Sequence, residues 1–299
     1  MARIALATCA ELPALDDDER RVLPPLAERG IEATPVVWND PAADWTAFEL
    51  VVLRSTWDYT LRRAEFLAWA DAMPSLLNPA AVVRWNTDKR YLRDLEVAGV
   101  PVVATQWIEP GESVVVPGER GVDLPAIARA DEYVVKPSVS AGSVDTGRYR
   151  KDDDEHRELA REHVARVTGR GGTVMIQPYL SAVDAFGETS MLYIGGEFSH
   201  AIRKGPMLDG PDRGVEGLFR EERITPRTPS DVEHKVAELA LAAIPGGAEL
   251  LYARVDLIPG ADGSPIVLEL ELTEPSLFLE HGPGAPDRFA AAIHRALVS

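Results

Sequence analysis

Short apolar, β-branched blocks alternate with longer stretches in which apolar positions recur every three or four residues, and this rhythm sets the expected order of elements. Residues 3–8, 33–38 and 50–55 read as strands, and 18–29, stopped at Gly30, reads as a helix between the first two. That order predicts a parallel α/β domain over 1–86. Open α/β sheets meet ligands at the carboxyl ends of their strands, so the loops at 8–11 and 54–59 are its candidate binding segments. The second loop also reads as a helix entry, with Ser55, Thr56 or Asp58 as cap and Trp57 and Tyr59 as core.

Beyond this domain, 86–99 reads as one capped helix, striped by Tyr91, Leu92 and Leu95 and closed by Gly99. Strands at 133–136 and 173–177 flank a polar helix at 153–167, which makes a second unit over 87–178. The third unit, 179–299, has a hairpin turning at Gly195 and Gly196, a helix at 231–243, a second hairpin at 250–272, and a terminal helix at 287–298 that turns Phe289, Ile293 and Leu297 inward.

The second hairpin carries the strongest chemical signal. If Ile258 pairs with Pro265 across the turn, Asp256 lies opposite Val267, and Asp256, Glu269 and Glu271 share one face, with Arg254 beside Asp256. Three carboxylates in one patch repel each other. A hard divalent cation held by oxygen ligands makes such a patch favourable.

Composition narrows the picture further. The 299 residues are 45% hydrophobic and 26% charged, enough for a large core in two or three lobes. No apolar run is long enough to span a membrane, and the first residues enter a strand rather than a signal peptide. The lone cysteine, Cys9, excludes an intramolecular disulfide, which agrees with a reducing, cytoplasmic setting. A net charge of −17 argues against a nucleic-acid partner, so anions must be bound by local cations. Neither nucleic acid nor membrane is an expected partner; assembly into a homo-oligomer stays open.

Local cations are present. Lys136 ends a strand and leads into Ser138, Ser140, Ala141, Gly142 and Ser143, small residues that let backbone N–H groups approach a phosphate. Lys89, Lys136 with its loop, the stretch from Ile176 to Leu180, Arg254 with Asp256, and Glu269 with Glu271 follow one another at the intervals of a known superfamily. From residue 86 onward the chain resembles the ATP-grasp ligases. That resemblance implies three lobes, a parallel α/β domain followed by two α+β lobes gripping ATP. It also implies that Lys89, Lys136 and the loop at Ser138, Ser140, Ala141, Gly142 and Ser143 hold the phosphates. The adenine would meet Gln177, Tyr179 and Leu180, and Asp184 would hold the ribose. Asp256, Glu269 and Glu271 would hold Mg2+, and Arg254 would stabilise the acyl phosphate. Singly each has a plainer reading: the lysines as surface cations, Asp184 as a loop cap, Arg254 as the salt-bridge partner of Glu269. The chain departs from the family where Glu271 replaces the usual asparagine, where Gln177 replaces an acidic residue, and where Pro178 lacks an N–H.

The reaction this implies is ligation through an acyl phosphate, acting on a small amino-acid-like carboxylate. Arg203 suits that carboxylate as a guanidinium fork, with a catalytic role implied alongside Lys136 and Arg254. Thr8, Arg54, Thr56 and Asp58 are the N-terminal substrate candidates, Asp58 or Glu11 pairing an ammonium. The segments 53–59, 186–190 and 272–278 resemble a cyclo-ligase branch that closes O-ureido-D-serine to D-cycloserine. The alternatives are an intermolecular ligase resembling glutathione synthetase or the glutamate ligases, and a nucleotide-binding regulator without turnover.

Overall fold

The computed structural model describes residues 1–73, 75–118, 127, 129–206, 208, 210–212, 223–247 and 250–298. Its first sheet is parallel, in the order β2-β1-β3-β4: β1 (Ala2–Thr8), β2 (Ile31–Val37), β3 (Leu50–Leu53) and β4 (Leu76–Leu77). Ile4, Ala5, Leu6 and Ala7 are wholly buried, as expected of a central parallel strand covered on both faces. One cover is α1 (Leu23–Glu28), which starts on Pro24 and Pro25, where missing N–H groups cost nothing.

The second sheet is antiparallel, ordered β5-β8-β6-β7: β5 (Gln106–Ile108), β6 (Glu132–Pro137), β7 (Gly147–Arg150) and β8 (Val174–Pro178). A long helix, Asp154–Gly169, is capped by the Asp153 side chain and lays Ala160, Val164 and Val167 on this sheet. This lobe has a core of its own.

The third sheet is antiparallel, ordered β11-β10-β9-β12-β13: β9 (Glu188–Ile194), β10 (Glu197–Lys204), β11 (Ile224–Arg227), β12 (Tyr252–Pro259) and β13 (Pro265–Glu271). Gly195 and Gly196 turn the first hairpin with φ of 59° and 82°, the left-handed pair that a two-residue hairpin loop requires. The core beneath this sheet is shared with the first domain: Ile4, Leu6 and Leu26 pack with Leu192, Tyr252, Phe289 and Ile293.

Two sequence expectations are corrected. The acidic hairpin pairs Pro259 with Pro265 and Ile258 with Ile266, one place away from the pairing of Ile258 with Pro265. By itself that slip would turn Glu269 and Glu271 to the face opposite Asp256. A bulge at Leu268 restores the phase, since Leu257 pairs with Val267 but Asp256 pairs with Glu269. The stretch at 86–99 is not one helix but the end of Ala80–Asn86 followed by Tyr91–Val97. The Asn86 side chain faces the third lobe, donating to Leu270 O at 2.7 Å and accepting from Leu272 N at 2.7 Å.

Those bonds belong to a general covering of the β13 edge. Leu270 N–H donates to the Tyr91 hydroxyl at 2.9 Å, and Val267 exchanges bonds with Pro101 and Val103. An edge strand that carries carboxylates is thereby closed to other strands and fixed to the connection between the lobes.

Candidate active site

The three sheets meet around a cavity of about 480 Å³. One face of the third sheet forms its floor, and register decides what that face displays. Arg254 lies opposite Glu271, Asp256 lies between Ser190 and Glu269, and Lys204 lies opposite Glu188. Cations and carboxylates therefore alternate. Lys204 Nζ is 2.7 Å from Asp256 Oδ2 and 3.3 Å from Glu188 Oε2, Arg254 Nε is 3.0 Å from Asp256 Oδ1, and Arg254 Nη2 reaches Glu271.

Burial would raise the Asp256 carboxyl, but the charges of Arg254 and Lys204 outweigh it and hold the group well below the usual range. Glu269 is lowered likewise: burial opposes, and Lys89 and Lys136 prevail. Glu271 goes the other way. Burial, then Glu269 and Asp256, push it up to about 7 against the pull of Arg254. The donor set is all carboxylate oxygen, its charge is balanced by neighbouring cations, and the bulge turns three acids to one side. This fits a hard divalent cation such as Mg2+.

Above the floor stand two lysines. Lys89 Nζ lies 3.0 Å from Glu269 Oε1 and donates to Ser140 O at 2.6 Å, while its own N–H donates to Ser138 O at 2.8 Å. Lys136, at the end of β6, has its ammonium destabilised by burial and by Lys89, and Glu269 opposes that shift. Ser140, Ala141, Gly142, Ser143 and Thr146 line the cavity beside them, with Gly142 and Ser143 at φ of 58° and 57°. A tight turn of small residues such as this leaves backbone N–H groups open to an anion.

The far end of the cavity is apolar. Val103, Tyr179, Leu180, Val183, Ile258 and Leu268 pack together there, a slot for a flat ring. Leu268 reaches it by alternation from Ile266, and the bulge then brings Glu269 to the same face. Gln177 lines the slot and donates to Thr105 Oγ1 at 2.8 Å.

Comparison with known proteins agrees with this arrangement. Residues 4–78 match the family model described as the N-terminal domain of D-cycloserine synthetase DcsG. The cycloserine biosynthesis protein DcsG of Streptomyces lavendulae is 40% identical over 99% of both chains. The chain belongs to the DcsG family of ATP-grasp ligases. The crystal structure of D-cycloserine synthetase DcsG superimposes with a TM-score of 0.88, at 40% identity, over 99% of this chain and 100% of that one. A RimK domain ATP-grasp protein from Sphaerobacter thermophilus shares the fold at 20% identity, with a TM-score of 0.68 over 98% of each chain.

Within this DcsG-family frame, the sequence candidates divide. Lys89, Lys136, Ser140, Ala141, Gly142, Ser143, Gln177, Tyr179, Leu180, Arg254, Glu269 and Glu271 line the cavity, and Asp256 lies under it. Ser138 stands behind the loop, bonded to Lys89 and Asp88 rather than facing the cavity. Asp184 is half exposed outside the cavity lining, accepting from the Tyr179 hydroxyl at 2.5 Å.

The substrate candidates of the first domain are displaced. Arg54 is 1% exposed and paired with Glu19 at 2.9 Å, with Arg54 Nη2 donating to Pro275 O at 2.8 Å. Asp58 accepts from Trp38 at 2.7 Å and from Arg62 at 2.5 Å, and the Thr8 hydroxyl donates to Leu12 O at 2.7 Å. Thr56 is buried outside the cavity lining. These groups build the loops, and Leu12, Asp16, Trp57 and Tyr59 face the cavity instead.

Arg203 is displaced too. Its guanidinium donates to Phe186 O at 2.6 Å and Ala185 O at 3.2 Å on the other face of β10. Strand alternation gives the cavity to Lys204, a residue adjacent to the candidate and not singled out from the sequence. Gly187 makes the turn there possible: at φ 69°, a Cβ would stand 2.3 Å from Lys204 O. Glu188 and Glu274 were also missed as site residues. Glu188 shares the face of Ser190, which only the pairing of β9 with β12 sets beside Asp256; Glu274 follows the strand, where no periodicity applies.

Proposed function

We propose that the chain is an ATP-dependent cyclo-ligase that phosphorylates the carboxylate of O-ureido-D-serine and closes it to D-cycloserine, with release of carbon dioxide, ammonia, ADP and phosphate. Kinship over the full length supports the substrate. The observation that carries the chemistry is the position of Arg254. Its guanidinium holds Asp256 and Glu271 on one side, donates to Ser276 O at 3.2 Å on the other, and lies 5.6 Å from the Phe278 ring. It stands where the acidic floor meets the pocket lined by Ser276, Phe278, Trp57 and Tyr59.

In this reading the apolar slot takes the adenine, and Lys89, Lys136 and the N–H groups of the Ser140–Ser143 loop take the phosphates. Asp256, Glu269 and Glu271 would hold Mg2+, which neutralises phosphate charge and aligns the transferred group. Lys136 and Lys89 stabilise the charge that moves toward the β-phosphate as the γ-phosphoryl passes to the substrate carboxylate. Arg254 first orients that carboxylate and then stabilises the oxyanion formed when the ureido nitrogen bound to oxygen attacks the acyl phosphate. Attack expels phosphate and forms the five-membered ring, and water then removes the carbamoyl group as carbon dioxide and ammonia. Nucleophile and electrophile lie in one molecule, so orientation replaces a second substrate site. Dependence on ATP is met in the cytoplasm.

Incubation with O-ureido-D-serine, ATP and Mg2+, followed by mass spectrometry, tests the reading. D-Cycloserine should form with one ADP per ring, and Glu269→Gln should lower the rate by about 10²–10³-fold. Peptide-mass products from a second amino acid would favour an intermolecular ligase. ATP binding without substrate-dependent ADP release would favour a regulator.

A further inference from the structure

The substrate end of the cavity holds a carboxylate that the reaction above leaves unused. Glu274 is 8% exposed and lines the cavity beside Trp57, Tyr59, Ser276 and Phe278. Its place is fixed from both sides. Glu274 O accepts from Trp57 Nε1 at 3.0 Å, Pro275 O from Arg54 Nη2 at 2.8 Å, and Ser276 O from Arg254 Nη1 at 3.2 Å. The Tyr59 hydroxyl donates to the Glu274 carboxylate.

Three other acids of the cavity have cations. Glu269 has Lys89, Glu188 has Lys204, and Glu271 has Arg254. Among the described residues no cationic side chain stands at ion-pair distance from Glu274. Asp16 also lines the cavity unpaired, but it is less buried, and its Oδ1 accepts from Glu19 N–H at 2.7 Å. A buried carboxylate with no counter-charge is costly unless a ligand supplies one. Burial and Glu271 push Glu274 up to about 8, which is the same cost seen as proton affinity.

We propose that Glu274 receives the α-ammonium of the amino-acid substrate and is the residue that selects for it. The inference rests on the ligase reading above. In such a substrate the ammonium sits on the carbon next to the reacting carboxylate. A carboxylate held close to Arg254, through a chain segment that Arg254 itself binds, matches that spacing. Tyr59 holds the Glu274 carboxylate in place and leaves lone pairs for the incoming N–H groups.

The test compares kcat/KM for O-ureido-D-serine and for its deamino analogue, 3-(ureidooxy)propanoate, in wild type, Glu274→Gln, Glu274→Asp and Asp16→Asn. Wild type should prefer the amino substrate by at least about 30-fold, as for a buried charge pair that loses one partner. Glu274→Gln should shrink the preference to within about threefold while ATP affinity, measured by titration, is kept, because the nucleotide lies elsewhere. Glu274→Asp should restore part of the preference, and Asp16→Asn should keep it. Undiminished preference in Glu274→Gln, or its loss in Asp16→Asn alone, overturns the inference and leaves the ligase reading standing. Absence of cyclised product from wild type overturns the ligase reading, and the inference falls with it.

Discussion

Lys204 Nζ and Asp256 Oδ2 lie 2.7 Å apart on neighbouring rows of the third sheet, both buried. The same ammonium serves Glu188, so one lysine balances two carboxylates. Lys204→Met should leave Glu188 uncompensated and Asp256 with Arg254 alone, and destabilise the fold by about 3–5 kcal/mol, read as a fall in Tm. Activity should fall at least about tenfold as Asp256 loses its orientation.

Arg203, one residue earlier, should behave in the opposite way. Its guanidinium binds backbone carbonyls outside the cavity. Arg203→Ala should therefore change kcat and KM less than about threefold and cost about 1 kcal/mol of stability. A large rise in KM would restore Arg203 to the substrate site.

Arg54, paired with Glu19 within the first domain, joins that domain to the third lobe through Pro275 O and the faces of Tyr252 and Phe289 at 5.0 and 5.4 Å. Arg54→Met leaves Glu19 buried and unpaired. It should cost about 3–5 kcal/mol in urea unfolding. The paired variant Arg54→Met with Glu19→Gln should recover much of that loss, since the uncompensated charge is then gone.

Stability of the ligand-free protein should fall as pH rises from about 5 to 8. Burial is the main cause that raises Glu19 to about 6, Glu271 to about 7 and Glu274 to about 8, each from an ordinary value of 4.5. A group whose folded value is raised contributes in full below its unfolded value and loses that contribution as pH climbs through the folded one. Asp256 and Glu269 are lowered, so their contributions are complete above the ordinary carboxylate range and stay constant in this window. Glu274 faces Glu271, Glu269, Lys89 and Tyr59. Tm measured from pH 5 to 8 should decline less steeply above pH 7 in Glu274→Gln than in wild type; equal slopes would remove Glu274 from the account.

The hairpin turn, the small-residue loop and the order of lysines and acids were legible in the sequence because each depends on neighbours along the chain. The carboxylates were placed on one face correctly, though through the wrong register, because a bulge at Leu268 leaves no trace in an alternating Ile-Val-Leu-Glu-Leu-Glu run. Arg54 and Asp58 looked like ligand-binding groups because a polar loop after a strand also looks that way. Their partners, Glu19, Pro275 and Trp38, lie up to 221 residues away, and only the fold joins them. Arg203 was singled out for the shape of its guanidinium, whereas the strand's parity turns its neighbour Lys204 to the cavity.

The covering of β13 has a mechanical consequence. Asn86, Tyr91 and Pro101 grip the outer edge of the strand whose inner face carries Glu269 and Glu271. The central lobe, with its separate core, hangs from that grip as from an axle. Lys89 sits where that grip meets the phosphate loop: its ammonium holds Glu269 at 3.0 Å and Ser140 O at 2.6 Å, and its N–H holds Ser138 O at 2.8 Å, so one residue ties the loop of the central lobe to the gripped strand.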